Sequence, residues 1–480
     1  MERPLISDRE GPLLRGSALP DLPLALDRES SRPLAAQLAD GLRAAAHSGA
    51  LRVGDRLPST RALARTLGLS RTVTAAAYDQ VNAEGWIAGW HGSGTFVVAA
   101  PAEPVQPARR ALSPRSPATD PGGPDLRPGT PWSAALRTAA WRRAWRAAAD
   151  AAPLDRPVRA GVADFRSAVA EHLLRHRGLS VEPSAVLATG GTTAALGELA
   201  SSVLAPGDVV VVEEPGYPRA AGALRAAGLR VLPTPVDAEG LVVAELPGEA
   251  RAVYCTPSHQ FPLGARMPAD RRLELVRWAR ERGAWVIEDD YDGELRHDGA
   301  PLPLLASLGP DIVVHLGTTS KILTPTLGVG WMVAPGALTA AVCDHREATG
   351  TGPAPAGQRV LVELARTGDL GRHLRRVRRE LLGRRDLLTG ALRPAGLGVL
   401  GDRAGAHLVV PLPSATAERD AVDAAARGGI ALDSLARCHI DVAAWHGLIL
   451  GYAAPDTRDE LAAAMASLVP LLARTGGGPG

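Results

Sequence analysis

Between residues 181 and 333 the chain keeps repeating one pattern, a short apolar run followed by a stretch with helical spacing. The runs lie at 185–188, 209–212, 229–232, 252–255, 285–287, 312–316 and 329–333, and helical stretches at 193–204, 218–227 and 268–282 stand between several of them. Such alternation predicts an α/β domain, a largely parallel sheet covered by helices. Residues from about 370 to 473 read as a long helix over 370–393, then short strands and further helices, a smaller α+β lobe. Open α/β sheets hold their ligands at the carboxyl ends of their strands, so the residues just past each apolar run are the first place to look for chemistry.

One of those ends carries the chain's single lysine. Of 53 basic residues only Lys321 is not arginine, and it closes Gly317-Thr318-Thr319-Ser320-Lys321 directly after the run at 312–316. Arginine replaces lysine wherever a cation alone is needed. It does not replace a nucleophilic amine, because lysine loses its proton on desolvation and then condenses with an aldehyde, whereas guanidinium does neither. The small hydroxyl residues Thr318 and Ser320 beside it are donors suited to a phosphate. A second strand end, Thr189-Gly190-Gly191-Thr192-Thr193, opens a helix whose backbone N–H groups can hold an anion. A third, Glu288-Asp289-Asp290-Tyr291-Asp292, offers a carboxylate that can keep a pyridinium nitrogen protonated, and a phenol for a ring hydroxyl. In isolation the second reads rather as a plain tight turn and the third as a solvated acidic turn.

The N-terminal part reads differently. Residues 1–30 are Pro-rich and aperiodic, an arm. Over 31–98, apolar spacing and stop signals predict three short helices, the second capped by Ser59 or Thr60 and ended by Gly68, the third capped by Ser70 and ended by Gly85. Two short strands around Gly92-Ser93-Gly94 follow. Three helices and a hairpin describe a winged helix-turn-helix, with Arg71 and Thr72 facing bases and the Gly-rich tip approaching the DNA backbone. Residues 99–125, dense in Pro, Ala, Ser and Arg, read as a linker, and 126–480 as an enzyme-sized domain with a large lobe over about 150–365 and a small lobe over about 366–480.

A chain of 480 residues is too long for one core. Its 46% hydrophobic and 22% charged residues are those of a globular protein. Three scattered cysteines, Cys255, Cys343 and Cys438, argue against a disulfide framework and against a metal site. With no apolar leader and no long uncharged apolar run, the expectation is a cytoplasmic protein.

The stretch from Leu57 to Val97 resembles the DNA-binding domain of the GntR family, through Leu57-Pro58-Ser59, Arg61, Leu63-Ala64, Leu67-Gly68, Ser70-Arg71, Ala77-Tyr78, Glu84-Gly85 and the wing. That resemblance implies DNA contacts at Arg61, Ser70, Arg71, Thr72, Gly92, Ser93, Gly94 and Thr95, with Ala76 standing where relatives carry a longer side chain. The phosphate turn, acidic strand end and lysine, in that order, resemble fold-type I aminotransferases that use pyridoxal 5'-phosphate. "EEPGYPR", "YCTPSHQFPLGARM", "VIEDDYDGELR" and "GTTSK" together with the N-terminal unit resemble the MocR/GabR-type regulators over nearly the whole chain.

The resemblance implies a Schiff-base role for Lys321, a pyridine-nitrogen contact for Asp289, a ring-oxygen contact for Tyr291, and phosphate contacts for Gly191, Thr192, Thr318 and Ser320. Tyr217 and Arg219 would line an effector pocket, Tyr217 beside the cofactor. The chain's only asparagine is Asn82, so His259 or Gln260 is expected to take the place of the family's asparagine near the ring oxygen. Gly328, and the lack of an arginine near Trp445-His446-Gly447, leave two carboxylate-gripping positions without arginine, which argues against efficient transamination. The implied function is a regulator that binds promoter DNA as a head-to-tail dimer and senses pyridoxal phosphate or an amino compound, including the PdxR-like option of controlling vitamin B6 synthesis. The alternative is an active aminotransferase with an accessory N-terminus.

Overall fold

In the computed structural model, residues 24–90, 92–99, 123–136, 138–297 and 302–475 are described. The chain divides into two compact units, 1–117 and 118–480.

The N-terminal unit contains α1 (Leu34–His47), β1 (Arg56–Leu57), α2 (Thr60–Leu67), α3 (Arg71–Ala83), β2 (Ile87–Trp90) and β3 (Gly94–Val97). The strands pair antiparallel in the order β1-β3-β2. Local chemistry sets the helix ends. Ser59 Oγ accepts from the N–H of Ala62 and Ser70 Oγ from that of Val73, both at 3.2 Å, while Gly68 ends α2 in the left-handed region. Leu38, Leu42, Leu63, Ala77, Tyr78, Val81 and Ile87 form the core, and the Tyr78 hydroxyl donates to Pro58 O at 2.8 Å. Leu24 and Leu26 pack on this core and the Arg28 guanidinium donates to the carbonyls of Leu67 and Gly68. The segment expected to be arm up to residue 30 is therefore part of the unit from Leu24 onward. Residues 1–23 of the arm and 100–122 of the linker lie outside the described residues.

The C-terminal unit is built on an eight-stranded sheet, β4 (Val186–Thr189), β5 (Val209–Glu214), β6 (Arg230–Asp237), β7 (Gly240–Leu241), β8 (Ala252–Cys255), β9 (Trp285–Asp290), β10 (Val313–Thr318) and β11 (Gly330–Val333), in the order β4-β11-β10-β9-β8-β5-β6-β7. Strands β6, β5, β8, β9 and β10 are parallel; β11 and β7 run antiparallel to their neighbours. The apolar run at 329–333 is thus the strand that departs from the parallel arrangement. Strands β4, β8 and β10 are buried throughout, which their continuous apolar sequences require, since strands in such sheets are covered on both faces. The helices are α4 (Ala139–Asp150), α5 (Ala163–Arg177), α6 (Thr192–Val203), α7 (Pro218–Ala226), α8 (Ala269–Arg282), α9 (Leu305–Leu308), α10 (Gly336–Thr349), α11 (Pro355–Arg366) and the long α12 (Asp369–Leu392). The small lobe adds β12 (His407–Pro411), α13 (Ala415–Arg427), β13 (Asp433–Ser434), β14 (Gly447–Gly451) and α14 (Arg458–Thr475). The end of the expected linker and the residue after it join the lobe: Ala431 N–H donates to Pro124 O at 3.0 Å and Gly451 N–H to Leu126 O at 2.7 Å.

A glycine sets how closely the functional loops approach. Gly330 lies between Thr189 and Thr318 in register, and a Cβ on it would stand 2.5 Å from Gly317 O and 2.8 Å from Gly191 Cα. The turn after β4 can close on the end of β10 only because no side chain intervenes. Gly330→Ala is expected to lower the stability of this unit by ~1–3 kcal/mol through overpacking, read as a lower urea midpoint at unchanged slope; an unchanged midpoint would show that the turn has room to spare.

Candidate functional site

The carboxyl ends of β4, β9 and β10 converge. Leu316 is paired with Asp289 and Gly317 with Asp290 in parallel register, so Lys321, three residues past the end of β10, emerges beside the acidic end of β9. Its Nζ donates to the carbonyl of Gly129 at 2.7 Å. Burial pulls the amine's pKa down; Asp292 and Asp289 oppose this and Arg219 adds to it. The net shift favours the free amine, which is the nucleophilic form.

Asp289 is buried. Its Oδ2 accepts from the Tyr254 hydroxyl at 2.6 Å, whereas its Oδ1, equally buried, has no partner. Burial pushes its pKa up to about 7, helped by the neighbouring Asp290 carboxylate and opposed by the Tyr254 hydroxyl and, more weakly, by the Thr192 hydroxyl, which approaches the carboxylate without closing a hydrogen bond on Oδ1. Asp290 itself pairs with the fully buried Arg177, Nη2 to Oδ1 at 2.8 Å. A carboxylate with one satisfied and one empty oxygen at a ligand-bearing strand end is suited to a cationic N–H donor.

The hydroxyl residues form the opposite wall. Gly191 N-caps α6 with φ 111°, and a Cβ on it would come within 3.6 Å of Thr318 Oγ1. Thr192 opens α6, and Thr318 Oγ1 both accepts from Ser320 N–H at 3.1 Å and donates to Ser320 Oγ at 2.9 Å. Backbone amides at a helix N-terminus and small hydroxyls are the donors an anion needs, and the fold brings Gly191, Thr192, Thr318 and Ser320 together.

Tyr291 OH donates to His259 O at 2.9 Å and lies 3.1 Å from His259 Nδ1, which meets Asp292 Oδ2 at 2.8 Å. His259, Asp292 and His407 are all buried, and one potential ligand atom of each lies within 4.8 Å of the others. Here they hold one another and Tyr291, and His407 Nε2 contacts Pro262 O at 3.1 Å. Tyr217 packs edge-on against Phe261, ring centroids 5.7 Å apart, and Arg219 is exposed but near enough to bear on Lys321.

Gln260, expected as a cofactor contact near the ring oxygen, is occupied elsewhere. Its Nε2 donates to Glu213 Oε2, Pro215 O and Phe261 O, and its Oε1 accepts from Leu263 N–H. The amide is a brace between loops. Of the two expected substitutes for asparagine, His259 is the one that touches Tyr291. Asp292 stood in the acidic stretch singled out in the sequence, with no role of its own, whereas Tyr254, Gly129 and His407 did not stand out. Tyr254 carried a usable signal, as the one polar-tipped residue within a buried strand, whereas Gly129 and His407 are distant in sequence and come to the site only by folding.

In the N-terminal unit, α3 buries Thr74, Ala77, Tyr78 and Val81 and leaves Arg71 and Thr72 exposed at its first turn. Arg61, Ser70, Gly92 and Ser93 are exposed as well, and Gly94 and Thr95 half-buried. The Ser70 hydroxyl is already engaged as the α3 cap.

Residues 34–97 match the family described as bacterial regulatory proteins, gntR family, and residues 137–444 match aminotransferase class I and II. The chain is 37% identical over 374 residues to the HTH-type pyridoxine biosynthesis transcriptional regulator PdxR of Corynebacterium glutamicum, covering 78% of this chain and 82% of that protein. It is 32% identical to the probable rhizopine catabolism regulatory protein MocR of Rhizobium meliloti, covering 91% and 93%. The chain belongs to the MocR-type regulators. This family joins a GntR helix-turn-helix domain to an aminotransferase class I and II domain. Among solved structures, the C-terminal unit is similar to Thermus thermophilus LysN, an alpha-aminoadipate aminotransferase (TM-score 0.66, 26% identity, 74% of this chain and 93% of that one). It is also similar to Pyrococcus horikoshii kynurenine aminotransferase (TM-score 0.65, 26% identity, 74% and 91%). The aminotransferase class I and II fold implies pyridoxal phosphate dependence. Among the described residues no helix is long and apolar enough to cross a membrane.

The half-satisfied Asp289 gives a pH prediction. Its folded-state pKa of about 7 lies above the ~3.9 of an unfolded aspartate, so the folded state holds the proton more tightly. Stability of the protein without cofactor should fall as pH rises from about 4 to about 7, and Glu213, likewise raised to about 7 by burial, adds to that slope. Asp289→Asn should flatten the slope and stabilise the cofactor-free protein at pH 8 by about 1–3 kcal/mol, measured by urea denaturation across pH. A variant no more stable than wild type at pH 8 would mean that Oδ1 is satisfied in solution.

Proposed function

We propose that this protein is a transcriptional regulator that binds promoter DNA through α2, α3 and the wing, and carries pyridoxal 5'-phosphate on Lys321 as part of a ligand sensor. The observation that carries the cofactor reading is the unpartnered, buried Oδ1 of Asp289 facing the same site as the chain's only lysine. Asp289 would accept from the protonated ring nitrogen, Tyr291 would meet the ring oxygen, and Gly191, Thr192, Thr318 and Ser320 would hold the phosphate. When bound, the cofactor supplies an aldehyde for amines and an electron sink. Tyr217 and Arg219 flank the mouth of the site and would orient an incoming amino compound, Arg219 through its free cation.

Sensing fits this chain better than turnover. Arg219 is exposed and Gly328 carries no side chain, so the site lacks the enclosed bidentate clamp that fixes a substrate carboxylate during transamination. The effector is pyridoxal phosphate itself, as the similarity to PdxR suggests, or an amine that competes for the Lys321 linkage. A dimer would present two DNA-reading units to paired half-sites.

Two measurements test this reading. On titration with pyridoxal phosphate, wild type should gain a new visible absorbance band, and borohydride should then fix a pyridoxyl mass on the peptide containing Lys321; Lys321→Ala should give neither. Absence of both signals in wild type would end the cofactor reading. For DNA, Arg71→Ala should cost ~1–3 kcal/mol in promoter affinity at fixed salt and relax sequence preference, while Arg61→Ala should weaken all sequences alike and lower the salt slope by about one. Arg71→Ala binding as tightly as wild type would remove α3 as the reading helix.

A further inference from the structure

Helix α12 carries a stripe of positive charge that one acid, Asp369, meets only at its Arg372 end. Arg372, Arg375, Arg376 and Arg379 are spaced so that all four share one face. Like charges at these spacings destabilise a helix by a few tenths of a kcal/mol each, so the arrangement is disfavoured unless an anion lies against it. The other arginines of α12 each have a partner, Arg385 through Nη2 to Gly401 O at 2.8 Å. Arg384 pairs with Glu380 and reaches the carbonyls of Pro455 and Asp456, and Arg378 donates to Glu294 O.

The stripe faces a cavity of about 480 Å³ whose other wall is apolar, with Leu136, Trp141, Leu323 and Leu370. Its one carboxylate, Asp369, is already engaged by Arg372 at 2.8 Å, by Arg143 at 3.2 Å and by the Thr367 hydroxyl at 2.8 Å. Arg376 donates to Ala135 O, and its Nε is buried without a partner. Arg375 and Arg379 meet no carboxylate among the described residues. Burial lowers the pKa of His373, also in the lining, and its Nε2 contacts Ile322 O at 2.7 Å. The cavity is therefore a cationic cleft with an aromatic and aliphatic floor, of the size that small-molecule sites occupy.

We propose that this cavity binds a small organic anion, an apolar body bearing a phosphate or carboxylate, at a site separate from the one built on Lys321. The guanidinia of Arg375, Arg376 and Arg379 take the anionic group as forked donors, and Trp141, Leu323 and Leu370 cover its apolar part. Leu323 lies two residues after Lys321 and Ile322 O is held by His373, so an occupant rests against the back of the lysine loop. It would thereby change the affinity of the Lys321 site, and the converse effect must be equal in size.

The test is calorimetric titration of phenyl phosphate into the full-length protein loaded with pyridoxal phosphate, fixed with borohydride and dialysed free of excess, which keeps the probe out of the Lys321 site without filling the α12 cavity. One equivalent per chain should bind, with inorganic phosphate binding more weakly because it leaves the apolar wall unused. Arg375→Ala with Arg379→Ala should weaken phenyl phosphate by about tenfold or more, and Trp141→Ala should weaken phenyl phosphate but not inorganic phosphate. Unchanged affinity in the double variant, or no binding to wild type at millimolar probe, overturns the proposal. So does a double variant that changes only the sedimentation mass, since the stripe would then be a contact between copies of the chain. The cofactor reading is judged separately by the visible band, which the double variant should retain.

Discussion

A carboxylate buried with half its hydrogen bonding unmet holds this structure to its purpose. Asp289 sits at the end of an interior strand, with Tyr254 on one oxygen and nothing on the other. An arrangement selected for stability alone would replace it with an amide or an apolar group, since an unsatisfied buried acceptor is costly. Parallel pairing of β9 with β10 brings the lysine loop beside it, and the glycine contacts of Gly330 and Gly191 close the cradle across from it. The rest of the large lobe supplies a rigid frame for these pieces. The buried Arg177 balances the adjacent Asp290, so that the acidic cluster survives burial.

The lysine is also tied to the small lobe. Its Nζ is held by Gly129 O, and three residues before that glycine the chain runs past Leu126, whose carbonyl is held by Gly451 at the end of β14. Any ligand that takes the amine away from Gly129 acts on a segment stitched into the small-lobe sheet. The carboxylate of Glu214, at the end of β5, accepts from the N–H groups of Ile440 and Asp441, which gives the two lobes a second joint near Tyr217. These hydrogen bonds tie the lysine and the end of β5 to segments joined with the small lobe.

Much of this was legible in the chain itself. Apolar runs at regular intervals announced the sheet, because strands covered on both faces can be read from composition alone. Ser59, Ser70 and Gly68 marked helix ends because capping is decided within a few residues. The lone lysine among arginines singled out a strand end, and the fold sets that end beside the acidic end of β9. Gln260 was misjudged for the opposite reason. An amide is chemically fit for a ring oxygen, and only the folded loop shows that Glu213, Pro215 and Leu263 already occupy it.

The sequence by itself determined which elements form and which residue types stand at the strand ends, since those depend on periodicity, capping and the chemistry of single side chains. Only the tertiary structure decided that β11 runs antiparallel between β4 and β10, that Gly129 and His407 reach the lysine site, and that four arginines of one helix face an apolar wall. Those facts depend on contacts between residues far apart in the chain, whose partners are fixed by packing of whole elements and leave no local pattern to read.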